Sequence, residues 1–154
     1  MPGRIDARLA ELGIALPEPS TPVANYVPYV VTGKLVFISG QVSMAAGKRI
    51  TGKVGKELSV EQGQEAARAC ALSIIAHLRN ACGGDLDRVA RCVKLGGFVN
   101  CPPDFADMPT VVNGASDLIV SVFGDAGRHA RFAVGAPNLP GNASVEADAV
   151  FEIA

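Results

Sequence analysis

Apolar positions recur along the chain with two periods, and the changes between them outline the elements. Ile5, Leu9 and Leu12 repeat at helical spacing, so residues 2–13 read as a helix, with Gly13 suited to the position just past its end. From Ser59 to Cys82 the pattern is again helical. Ala67, Ala71, Ile74, Leu78 and Cys82 make one stripe, and Ala66, Ala69 and Ile75 widen it beyond a single face, as burial against a sheet requires. Ser59 with Gln62 three residues on is a capping box, and Gly83-Gly84 ends the helix. A third helix runs from about Pro109 to Phe123, with Val112, Ala115, Ile119 and Val122 inward and Asp104 or Asp107 as its cap.

Period-two and β-branched runs mark the strands. Tyr26–Val31 and Leu35–Ile38 flank Thr32-Gly33-Lys34 as a hairpin. Arg91–Asn100 places Cys92, Lys94, Gly96 and Phe98 on one face and Val93, Leu95, Gly97 and Val99 on the other, with a bulge expected at Gly96-Gly97. Two further strands, joined by a Pro/Gly/Asn turn, close the chain. In the last of them Val145, Ala147, Ala149, Phe151 and Ile153 alternate with Glu146, Asp148, Val150 and Glu152, which gives one buried face and one acidic face.

Between the elements, Leu16–Pro22 carries prolines at 17, 19 and 22 and reads as an extended connector. Residues 43–57 hold four cations and three glycines and read as a solvated, mobile loop. Gly47, Gly52 and Lys53 begin a Walker A spacing, but Val54 stands where Ser or Thr is needed and no helix opens there, so a P-loop is rejected. Helix, hairpin, long helix, strand, helix, strand, strand is an α+β order. It predicts two main helices on one face of a mostly antiparallel sheet, plus an N-terminal helix, in one domain spanning 1–154 whose first 22 residues are that helix and the connector. Such a sheet keeps a bare face, which barrel closure or oligomerisation commonly covers.

Composition narrows the function classes. The formal net charge is −1, and no Lys/Arg run argues for nucleic acid. No apolar run approaches a membrane span. Met1–Ile5 lacks the apolar core of a signal peptide, so a cytoplasmic location is expected. Cys70, Cys82, Cys92 and Cys101 form no C-x-x-C pair, and with two histidines a zinc site is not expected. The first three cysteines read as small core residues. Cys101, beside Pro102-Pro103, reads as a core residue or a reactive loop thiol, and His77 as a surface or sheet-edge histidine.

Candidate chemistry centres on Arg131, the one charge between Ala130 and Ala136. A guanidinium there needs a carboxylate or phosphate, because burying it unpaired is costly. Glu146 lies past the turn, where a returning strand would bring it near Arg131, as a cross-strand ion pair or as part of a ligand site. Gly40 after Ser39 marks a bulge or leaves room for a ligand, and Asn113 either faces water or hydrogen-bonds across an interface.

Pro28-Tyr29, Ser39-Gly40-Gln41, Asp104-Phe105-Ala106 followed by Asn113, and Arg131 with Leu139-Pro140 and Val145-Glu146 stand in the order and approximate spacing of the Rid (reactive intermediate deaminase), or YjgF-like, family. The chain resembles that family from about Val23 to its end, as a divergent branch with an added N-terminal helix and a long 43–57 loop. The resemblance implies a chorismate-mutase-like fold of the bacillus type. It implies a homotrimer with ligand sites in the clefts between subunits. It also implies hydrolysis of enamine/imine intermediates such as 2-aminoacrylate to 2-oxo acids and ammonia, without metal or organic cofactor. By the same resemblance Arg131 holds the substrate carboxylate and Glu146 positions water, while Tyr29, Ser39, Gly40, Asn113 and the backbone at Ala133 line the cleft. Ala133 replaces the family's usual Cys, and Gly135-Ala136-Pro137 replaces its longer side chains. Two other activities fit the resemblance less well. One is a non-catalytic trimer that binds small carboxylates and reports them to a partner. The other is an endoribonuclease, ranked last because the chain is slightly acidic, poor in aromatics and without a His pair.

Overall fold

In the computed structural model, which describes residues 2–154, side chains and glycines set the helix ends much as the sequence indicates. (Met1, in the segment read as lacking a leader, lies outside the described residues.) Helix α1 spans Arg4–Glu11 and α2 spans Val60–Ala81. Ser59 Oγ accepts from Gln62 N at 3.1 Å while Gln62 Oε1 accepts from Ser59 N at 2.9 Å, so the capping box is complete. At the other end Gly83 takes φ +66°, letting its N–H reach Asn80 O at 3.0 Å and that of Gly84 reach Arg79 O at 2.8 Å. This is a Schellman closure, and Gly13 and Ile14 repeat it after α1. The first amides of α1 are satisfied from far along the chain: Asp87 accepts from Arg4 N and Ile5 N, each at 2.9 Å. Helix α3 spans Met108–Phe123. Asp107 stands at its cap position but accepts from Thr110 Oγ1 rather than from a helix amide, and Asp104 does not cap it either, so neither expected cap forms.

Five strands build the main sheet: β1 Tyr29–Thr32, β2 Leu35–Val42, β5 Val89–Asn100, β6 Ala130–Ala136 and β7 Val145–Ile153, in the order β1-β2-β7-β5-β6. All pairings are antiparallel except β5 with β6, which are parallel. The last two strands are therefore not a hairpin. Helix α3 is the crossover between β5 and its parallel neighbour β6, and the chain then passes the end of β5 to reach its far side as β7. The helices cover one face over an aliphatic core that includes Ile74, Ile75, Leu78, Leu95, Ile119 and Phe151. This is the α+β, chorismate-mutase-like architecture expected from the sequence.

Three local readings are corrected. Strand β5 is irregular between Val89 and Arg91 and between Cys92 and Lys94, not at Gly96-Gly97. Cys92 therefore turns to the core face with Leu95, Gly97 and Val99. Loop 43–57 is exposed along most of its length, as expected, but it is pinned rather than irregular. It forms a short hairpin, β3 Met44–Ala45 with β4 Lys48–Arg49, and buries Val54. Lys53 Nζ donates to Asn100 Oδ1 at 2.8 Å and to the Pro137 carbonyl, tying the loop across the ends of β5 and β6. His77 is 1 % exposed because the connector lies over it, with Ser20 Oγ 3.2 Å from its Nε2. All four cysteines are buried. Burial raises their thiol pKa values, that of Cys92 to about 12, and Cys101 is a core residue rather than a reactive one. Among the described residues no helix is long and apolar enough to cross a membrane.

Candidate functional site

Strand β6 is an edge strand, and Arg131 is paired in register with the buried Leu95, so its side chain turns to the helix-covered face. There α3 receives it. Arg131 Nη1 donates to Asn113 Oδ1 at 2.8 Å and to Ser116 Oγ at 3.2 Å, and Nη2 donates to Pro109 O at 3.4 Å. Asn113 is thus engaged within the chain, where it holds Arg131. Ala133, two residues on, shares the face of Arg131 and pairs with Gly97. All the observed partners of Arg131 are neutral, so its charge is held in place but not neutralised by them.

Glu146 sits elsewhere. It lies on β7, paired with Val42 on one side and Phe98 on the other, and points to the bare face. The bulge in β2 between Ile38 and Gln41 brings Ser39 and Gly40 beside it. A Cβ on Gly40 would run into the Glu146 carboxylate, so the glycine makes room for that side chain, not for a ligand directly. Ser39 Oγ donates to Val27 O at 2.7 Å, fixing the segment that leads into β1. Burial, reinforced by the charge of Asp148 on the same face, pushes Glu146 above the 4.5 of an ordinary glutamate. Tyr29 is on β1, opposite Ile38, and turns to the helix side.

The expected meeting of Glu146 with Arg131 does not occur within one chain. Strand β5 lies between their strands, and the two side chains leave opposite faces of the sheet. Tyr29 and Arg131 lie on the two outermost strands, about 19 Å apart at four interstrand spacings. The anticipated residues thus fall in separate places: Arg131, Asn113 and Ala133 on the helix-covered side at the β6 edge, Glu146, Ser39 and Gly40 around the β2 bulge, and Tyr29 on the helix side of β1.

Residues 6–151 match the family described as "YjgF/chorismate mutase-like, putative endoribonuclease". The chain belongs to the YjgF family. It is similar to Protein TCP17 of Trypanosoma cruzi, 51 % identical over 153 residues that cover 98 % of this chain and 95 % of that protein. A solved protein of unknown function from Agrobacterium tumefaciens, Atu1372, superposes with a TM-score of 0.91 at 48 % identity, covering 97 % of this chain and 92 % of that one. A structure from Shewanella oneidensis, titled a putative endoribonuclease, gives a TM-score of 0.93 at 34 % identity, covering 98 % and 100 %. Both solved chains match this YjgF-family chain over nearly its whole length.

Two residues around Arg131 in this YjgF-family chain escape a reading by motif. Ser116 binds the guanidinium from the turn of α3 after Asn113, and His129 Nε2 lies 2.9 Å from Ser116 Oγ. The signal is spacing: Ser116 follows Asn113 by three on a helix, and His129 precedes Arg131 by two on an extended segment, so each shares a face with its neighbour.

Proposed function

We propose that this protein hydrolyses reactive 2-imino acids, and their enamine tautomers, to 2-oxo acids and ammonia at sites shared between copies of the chain. The observation that carries the reading is the division of the candidate residues. An uncompensated guanidinium stands at one edge of the sheet, and a carboxylate reluctant to ionise stands on the opposite face toward the other edge. A head-to-tail ring would bring the β6 edge of one copy to the bare face of the next, and closure after three steps gives the homotrimer. The location stays an expectation, cytoplasmic.

Arg131 binds the substrate carboxylate through a planar fork that Lys lacks. Glu146 accepts a proton as water adds to the imine carbon, forming the C–O bond and reducing C=N to C–N. It returns that proton to nitrogen, giving a carbinolamine, then takes the hydroxyl proton and passes it to nitrogen as well, so the C–N bond breaks with its electron pair leaving as ammonia while the oxygen's pair closes the carbonyl of the 2-oxo acid. Imines hydrolyse unaided in water, so orientation supplies most of the acceleration. Ala133 presents backbone where a thiol is usual, and this chemistry needs no thiol.

The test is ammonia and 2-oxo acid release from enzymatically generated 2-imino acids. Wild type should accelerate release, Arg131→Ala should lose both carboxylate binding and turnover, and Glu146→Gln should lose turnover alone. Wild type that binds carboxylates without accelerating release would favour a binding module. Cleavage of RNA that survives Arg131→Ala would favour the activity named for the Shewanella relative.

A further inference from the structure

The guanidinium of Arg131 carries five N–H groups, and the chain uses them unevenly. Both Nη1 hydrogens go to α3, one to Asn113 Oδ1 at 2.8 Å and one to Ser116 Oγ at 3.2 Å, and one Nη2 hydrogen reaches Pro109 O at 3.4 Å. Nε–H and the second Nη2–H have no partner among the described residues. A single acceptor would let the guanidinium plane swing about that bond. Two acceptors on Nη1 fix the plane and leave the Nε/Nη2 edge open.

Ser116 accepts reliably only if its own hydrogen is turned away, because a hydroxyl hydrogen aimed at the cation would be repelled. His129 provides for this. Its Nδ1 lies 2.6 Å from Gly127 O, and since a carbonyl can only accept, Nδ1 carries the proton. In the neutral ring Nε2 is then an acceptor, and Ser116 Oγ, 2.9 Å away, donates to it. Gly127, which anchors the ring, is itself buried against α3, where a Cβ would strike the backbone of Ile119 and Val120. Donation therefore runs one way, from Arg131 to Ser116, to His129, to the Gly127 carbonyl.

We infer that Ser116 and His129 are positioning residues: their relay orients the Arg131 guanidinium so that its Nε/Nη2 edge is presented, as a fork, to a ligand carboxylate. The inference rests on the carboxylate-binding part of the function proposed above, and its test separates the two. In full-length protein with 15N-labelled arginine, the two Arg131 Nη groups should give distinct signals in wild type. Exchange between them should speed until they merge on Ser116→Ala and on His129→Phe, as the plane is left to Asn113 Oδ1 and the longer contact with Pro109 O. Calorimetric affinity for 2-oxobutanoate should fall roughly tenfold in both variants, the loss of one hydrogen bond to a charged group. His129→Gln, whose amide oxygen can accept from Ser116, should recover most of it, and the Ser116→Ala/His129→Phe double variant should be no weaker than Ser116→Ala, because the two act in series. Averaged Nη signals in wild type would overturn the inference. So would unchanged 2-oxobutanoate affinity in both single variants while Arg131→Ala loses binding. Distinct signals that collapse in the variants, with no 2-oxobutanoate binding by wild type, would uphold the positioning and sink the carboxylate reading.

Discussion

Glu146 pays a cost that a surface glutamate does not. Burial against the β2 bulge disfavours its charged form, and Asp148 on the same face adds like-charge repulsion. A water-positioning carboxylate works only when ionised, so turnover should fall on the acid side, with its midpoint above pH 4.5. The pH dependence of kcat checks this. Asp148→Asn should move the acid limb to lower pH by removing the repelling charge, and Glu146→Gln should abolish the limb along with turnover. The sign for stability follows from linkage. The folded state holds this proton more tightly than the unfolded chain does, so the contribution of Glu146 to stability declines as pH rises through its folded pKa. Glu146→Gln should therefore melt no lower than wild type at neutral pH, as expected where a residue serves function rather than folding. A lower melting temperature would mark Glu146 as structural.

At the scale of elements, the connector between α1 and β1 is held partly through His77. Its ring is buried beneath Ser20, Nδ1 has no partner among the described residues, and desolvation lowers its pKa from 6.5. The unfolded chain takes up a proton below about pH 6.5 and the folded ring resists it. The contribution to stability is thus fully present above that value and is lost as pH falls toward the folded pKa. Wild type should lose melting temperature between neutral pH and pH 5 more steeply than His77→Leu, and hydrogen exchange should rise first over the connector; equal slopes would remove His77 from the account. The same element shows what the sequence could and could not reveal. Three prolines announce an extended strap, but nothing local says that it lies over α2. The capping box of α2 and the alternation of β7 are local signals, and both were legible. The parallel pairing of β6 with β5 was not, because α3 decides it, and a Pro/Gly/Asn turn between two strands suggests a hairpin equally well. The bulge at Cys92–Lys94 carries no glycine to mark it, and the anchor of loop 43–57 is a lysine reaching across to Pro137. Within the site, residue type identified Arg131 and Glu146 as notable, but only topology could place them on opposite faces.

At the scale of the whole molecule, the sheet is covered on one side only. Val30 and Phe37 on β1 and β2, Phe98 on β5 and Val134 on β6 lie on the other face, with Phe37 at 45 % and Phe98 at 40 % exposure. Phe132 packs edge-on against Phe98, ring centroids 5.3 Å apart, and Lys94 Nζ lies 5.7 Å from its centroid. An apolar face of this kind, interrupted by Glu146 and Asp148, suits another copy of the chain better than bulk water. Phe37→Asp should therefore reduce the mass measured by light scattering from that of the proposed trimer to that of a monomer and remove turnover with it. Unchanged mass would point to a different interface. A sharper test uses the separation of Arg131 from Glu146. In a mixed trimer of Arg131→Ala and Glu146→Gln chains, one of the three clefts joins an intact Arg131 from one chain to an intact Glu146 from its neighbour. Random assembly from equal amounts makes about three quarters of the trimers mixed, so refolding the two inactive variants together should restore about a quarter of wild-type turnover. If each chain instead closed its own site, no mixture could regain activity, since every chain would lack one group or the other.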